Sequence, residues 1–172
     1  MTDSTNGKSQ DAAPAEQKGT AGVQIQVAAQ YIKDLSFENP NIEKLIDGPG
    51  ESPNMQLEVN VNAKRVSDEL YESAIDFKAL ATNKMGTIYQ LEIVYAGLFR
   101  LKNIPNEALE PFLLINCPTL IFPFLRRTVA DLTREGGFPP LLLDPIDFAS
   151  LFMRRKQEAG AKEEGGAVKG HA

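Results

Sequence analysis

The sequence predicts an α+β domain: a four-stranded antiparallel sheet, then a long broken helix, a crossover loop and a second helix. Three observations carry this. Four stretches in the first two thirds alternate apolar and polar residues with a period of two. Short turn signals follow the second and third of them, which favours antiparallel pairing with one face buried and one wet. Helical spacing begins only after these stretches, and strands followed by helices are the α+β order.

Each element has its own justification. Residues 1–22 and 157–172 are rich in small and polar residues and poor in large apolar ones. They cannot offset their ordering entropy and are expected to be disordered tails around a domain at 23–156. "VQIQVAAQYIKDLSF" opens the sheet, with Val23, Ile25 and Val27 alternating with glutamines. "NPNIEKLIDGPGESPN" is a loop. "MQLEVNVNA" sets Met55, Leu57, Val59 and Val61 on one face. "ELYESAIDFKALATN" does the same with Tyr71, Ile75, Phe77 and Ala79, and a turn is expected from Asn83 to Gly86. The longest strand, "TIYQLEIVYAGLFRL", carries Tyr89, Leu91, Ile93, Tyr95, Phe99 and Leu101 at odd positions. Asn106 suits a helix N-cap. Helical spacing resumes at Ile121, Leu125, Val129 and Leu132, and Gly136 and Gly137 end it. Pro118 and Pro123 each remove a donor and crowd the carbonyl of Leu114 or Thr119. A break near Cys117 and a bend near Thr119 are expected, either as the start of a new helical segment or as a hinge. Asp144 and Pro145 suit the cap and first turn of the second helix.

Composition narrows function mostly by exclusion. The chain has 172 residues, 42% of them hydrophobic, and a net charge of −5. Nucleic-acid binders usually present a basic patch, so none is expected as a partner. No uninterrupted run of ~18 apolar residues predicts a membrane span, and the N-terminus lacks the apolar region of a secretory signal. Cys117 and His171 are the only residues of their kinds. That leaves no zinc site and no Ser-His or Cys-His pair, so neither metal nor cofactor is expected. An enzyme built on paired carboxylates stays a competing reading with no motif behind it. The second half is greasy: Phe112, Phe122, Phe124, Phe138, Phe148 and Phe152, with Leu141, Leu142 and Leu143. An irregular segment such as "GGFPPLLLDP" is a poor interior. Part of this surface is expected to face a subunit interface or a ligand groove.

"YIKDLSFENPN" (31–41), "CPTLIFPFLR" (117–126) and "GGFPPLLLDPIDFASLF" (136–152) resemble the bacterial protein-export chaperone family SecB. The resemblance covers roughly residues 23–153. It implies a cytoplasmic homotetramer, a dimer of dimers with helices between outer sheets. It also implies a holdase that needs no ATP, keeps unfolded precursors translocation-competent and delivers them to the SecA ATPase. A SecB-like chaperone dedicated to a single partner, such as an antitoxin, is the alternative. The family's acidic docking positions for SecA fall on Asp34, Glu38 and Glu92, although these could equally be a solvated face. The docking position between these acids that is often apolar is Gln90 here. Client-groove positions are Phe37, Met55, Leu57, Val59, Phe138, Leu141, Leu143, Phe148 and Phe152, with ordinary core as the other reading for Met55, Leu57 and Val59. Tyr89, Leu91, Ile93 and Tyr95 are assigned to the oligomer interface.

Overall fold

A computed structural model describes residues 22–45 and 52–166, with side chains through 160. Most of the expected N-terminal tail and the last six residues of the expected C-terminal tail lie outside the described residues.

Four antiparallel strands form one sheet in the order β1-β4-β3-β2: β1 (Gln24–Glu38), β2 (Asn54–Ser67), β3 (Leu70–Asn83) and β4 (Gly86–Lys102). Strands β2 to β4 form a meander, and β1 returns to lie beside β4, a Greek-key order. The β3–β4 turn lies where Asn83 and Gly86 predict it, and Asn83 Oδ1 accepts from the Met85 backbone N–H at 2.8 Å. Strand β1 carries two register shifts, between Val27 and Ala29 and between Ile32 and Asp34. Each bulge reverses which parity faces the helices. Ile25 and Val27, then Ile32, then Leu35 and Phe37 therefore pair with Leu101, Phe99, Tyr95, Ile93 and Leu91 on one side of the sheet.

The helical layer covers that side. The chain winds without interruption from Asn106 to Glu135, through α1 (Asn106–Pro111), a π-helical turn (Phe112–Asn116) and α2 (Cys117–Glu135). The expected break near Cys117 does not occur. The Cys117 N–H reaches back five residues to the Phe112 carbonyl, so the wider turn accommodates Pro118 where an α-helical turn would clash with its ring. Asn106 is the first helical residue rather than the cap, which is Pro105; the Pro105 carbonyl accepts from the Ala108 N–H at 2.9 Å. By length and composition Asn106–Glu135 could cross a membrane. Here its buried stripe of Cys117, Ile121, Phe122, Leu125 and Val129 is laid on the sheet. Gly97 permits the close approach, since a methyl there would sit 3.1 Å from Ile121 Cγ2.

The helix ends as the Gly-Gly pair predicts. Gly137 takes φ +86°, its N–H donates to the Arg134 carbonyl, and the Phe138 N–H donates to the Thr133 carbonyl, a Schellman closure. The second helix, α3 (Phe148–Gly166), begins later than expected. Asp147, not Asp144, caps it: Oδ1 accepts from the Ser150 N–H at 3.0 Å and Oδ2 from the Ser150 hydroxyl at 2.7 Å. Those bonds hold the Asp147 carboxyl below its ordinary pKa. The helix also runs past 156, where the sequence reading ends the domain.

Candidate functional site

Two surfaces gather the sequence-selected residues. The first is a groove on the helical side of edge strand β2. Because β2 has a neighbour on one side only, nothing in the sheet covers its far edge. Leu57 remains 51% exposed, and Val59 is half-buried, while Val61 reaches the main core. The facing wall is α3 and the segment before it, with Ile146, Leu151 and Phe152, and Leu114 of the π turn forms the floor. The space between measures ≈ 880 Å³. Arg155 of α3 spans it, donating from Nη1 to the Val61 carbonyl at 2.7 Å.

The nine client positions separate into three groups. Leu57, Val59 and Phe152 line the groove. Phe37, Met55 and Phe138 gather around Tyr89 at the other end of the sheet, with ring centroids 5.8 Å (Phe37–Tyr89) and 5.0 Å (Tyr89–Phe138) apart. Leu143 and Phe148 are core, Phe148 meeting Phe122 edge to face, and Leu141 packs half-buried against them. Tyr89, Leu91, Ile93 and Tyr95 require a correction. All four are buried within the single chain, Tyr89 among Phe37, Met55 and Phe138 and the other three in the main core, so they have no surface to offer a second subunit. The sequence reading missed Leu114, Ile146, Leu151 and Arg155 in the groove. Only Arg155 carried a signal, a cationic side chain where the other three are ordinary apolar ones.

The second surface is the uncovered sheet face. The two bulges of β1 cancel, so Asp34, Ser36 and Glu38 point outward opposite Val94, Glu92 and Gln90. The three selected carboxylates therefore lie within two rungs of one another. Gln90 Nε2 donates to Glu92 Oε1 at 2.9 Å, and Lys78 Nζ donates to Oε2 at 3.2 Å. These bonds hold the Glu92 carboxyl below its ordinary range. Beside them Glu72 is only 7% exposed, and it accepts from the Tyr31 hydroxyl at 2.5 Å and Lys33 Nζ at 2.7 Å. Lys64 Nζ stands 3.6 Å away. Burial pushes the Glu72 carboxyl up, but these donors outweigh it and hold it low. The cluster ties β1 to β3 across Ala96, whose small side chain leaves room beneath Tyr31.

The family described as preprotein translocase subunit SecB matches residues 17–159. A protein-export protein SecB from Xanthobacter autotrophicus is 41% identical over 162 residues, spanning 94% of this chain and 98% of its own length. The one from Methylocella silvestris is 44% identical over 158 residues, 92% of either chain. Among solved structures, a Mycobacterium tuberculosis SecB-like chaperone in complex with an antitoxin peptide shares the fold. Its TM-score is 0.58 at 18% identity, over 71% of this chain and 90% of that one.

Proposed function

The chain belongs to the SecB family of protein-export chaperones, and from that premise we propose that it is a cytoplasmic holdase. It keeps unfolded precursors translocation-competent without ATP and passes them to SecA. One observation carries the reading: an open groove, with Leu57, Val59, Leu151 and Phe152 among its lining residues, runs beside an edge strand whose Leu57 stays half in water. Apolar contact is non-directional, so many sequences suit such a groove. An extended client can also pair with the free backbone of the strand.

Asp34, Glu38 and Glu92 supply the handover. A basic partner segment would be steered to this negative face and paired there, with Glu92 held ionised by Gln90 and Lys78. The working unit is a homotetramer, a dimer of dimers. In place of the β4 residues, the apolar side of β1 supports its interface. Ile25, Val27, Ile32 and Leu35 are 40–46% exposed there, and Leu120 and Phe124 of α2 are 47–48% exposed. Large exposed apolar patches are uncommon on a monomer and mark interaction sites.

The test is aggregation of a chemically denatured precursor on dilution, followed by capture on immobilised SecA. The protein at near-stoichiometric ratio suppresses light scattering with no nucleotide present. Asp34→Ala and Glu92→Lys keep that suppression but lose capture. Undiminished capture by both variants removes the docking assignment, and no suppression by the unmodified protein removes the holdase reading.

A further inference from the structure

In a regular strand Lys33 and Asp34 would point to opposite faces of the sheet. The register shift between Ile32 and Asp34 removes that alternation, and both residues line one hollow of ≈ 320 Å³ on the uncovered face. Lys64, Glu72 and Asp76 line it as well. Asp34 and Asp76 flank Val94 on a single rung, one on either side of β4. The bulge thus sets two lysines beside carboxylates that a basic partner would use. Neither lysine forms an ion pair with Asp34 or Asp76 among the described residues. Lys33 Nζ lies 2.7 Å from Glu72 Oε1, and Lys64 Nζ lies 3.6 Å from the same oxygen. The Tyr31 hydroxyl donates to the other oxygen, Oε2, and so leaves Oε1 to the lysines. Glu72 itself is too buried to meet a partner.

We propose that Glu72 is a positioning residue of the docking face: it holds Lys33 and Lys64 away from Asp34 and Asp76, so that the cations of a basic partner segment meet those carboxylates unneutralised. This rests on the reading of the outer sheet face as the docking surface for SecA. Charge-assisted bonds to a carboxylate nearly closed off from water are stronger than pairs in the open, so Glu72 outcompetes its exposed neighbours for both lysines. Without its charge, Lys33 is free to pair with the adjacent Asp34, and both ammonium groups repel an incoming cation. The partner then has to displace a cation the chain itself supplies. Glu72 acts through Lys33 and Lys64 and touches no partner atom.

The experiment measures binding of the full-length protein to immobilised SecA by biolayer interferometry at low salt. Glu72→Gln, which keeps the shape and removes the charge, is expected to weaken binding about fivefold, the upper order for one exposed ion pair, with the gap narrowing as salt screens it. Suppression of precursor aggregation by the same variant stays unchanged, which shows an intact fold. Lys33→Met alone is expected to shift affinity by no more than about twofold, because Glu72 already occupies that lysine; in the Glu72→Gln background it restores most of the loss. Such non-additivity marks action through Lys33. A loss that Lys33→Met leaves unrescued shows a structural role and overturns the proposal, and so does full binding by Glu72→Gln. A fivefold gain from Lys33→Met alone also overturns it, whether or not the Glu72 variants fold, since Lys33 would then compete with the partner despite Glu72. Asp34→Ala and Glu92→Lys test the underlying reading separately. Weakened binding by both, with full binding by Glu72→Gln, leaves the docking face in place and removes only the role of Glu72. Undiminished binding by both removes the docking reading and the proposal with it.

Discussion

Glu72 shows what a single residue contributes on the outer sheet face. Its carboxylate is nearly inaccessible, yet Tyr31, Lys33 and Lys64 surround it. The Tyr31 phenol is pushed up to about 12 by burial first, and then by its bond to Glu72 and the charge there. For Tyr31 the protonated form is favoured in the fold, so its stabilisation is complete below about pH 10 and lost as pH rises towards 12. For Glu72 the ionised form is favoured. Its stabilisation is present above the ordinary carboxylate pKa of about 4.3 and lost as pH falls through the lower folded value. Urea unfolding at fixed protomer concentration is therefore expected to show the unmodified protein losing more stability between about pH 5 and pH 3 than Glu72→Gln. Equal losses would show that the cluster is electrostatically idle. Sequence periodicity could not reveal this cluster. Tyr31 faces outward only because the bulge at Ala28 has reversed the parity of β1, and the bulge at Lys33 has not yet restored it.

Among the elements, the loop from Gly136 to Asp147 is held by one threonine as well as by its buried Leu143 and half-buried Leu141. Thr133 is fully buried on α2. Its hydroxyl donates to the Val129 carbonyl at 3.0 Å and accepts from the Leu141 N–H at 2.9 Å. The loop therefore gains a backbone anchor in the middle of an irregular run, which answers how "GGFPPLLLDP" can lie against a core. Thr133→Val keeps the shape and removes the acceptor. It is expected to cost about 1–3 kcal/mol, the range for an orphaned donor, and to speed hydrogen exchange at the Leu141 amide. Unchanged exchange at that amide would refute the anchor. The helix boundaries show a similar contrast. Gly136 and Gly137 were legible as a stop because the closure needs φ > 0 at Gly137. Asp144 and Asp147 are both good cap residues with helical sequence beyond them. The start at Asp147 goes with the long-range packing of Phe148 against Phe122, which local sequence does not show.

For the molecule as a whole, both helices cover one side of the sheet and leave β1 greasy on that same side. In the proposed tetramer this surface is the contact. Leu35→Asp and Phe124→Asp are expected to shift native mass spectra from tetramer to smaller species while far-UV circular dichroism stays unchanged; intact tetramers in both variants would move the interface elsewhere. The sequence by itself determined the fold class, the strands and the family, because side-chain alternation and local turn chemistry are properties of neighbouring residues. It could not say which layer covers an apolar strand face. Tyr89 to Tyr95 and Leu57 to Val61 carry the same alternation, yet the apolar side chains of the first run are all buried and in the second only Val61 is. The order β1-β4-β3-β2 decides between them. It puts β4 in the middle beneath the helix and β2 at the rim, and burial depends on that long-range arrangement and not on local pattern.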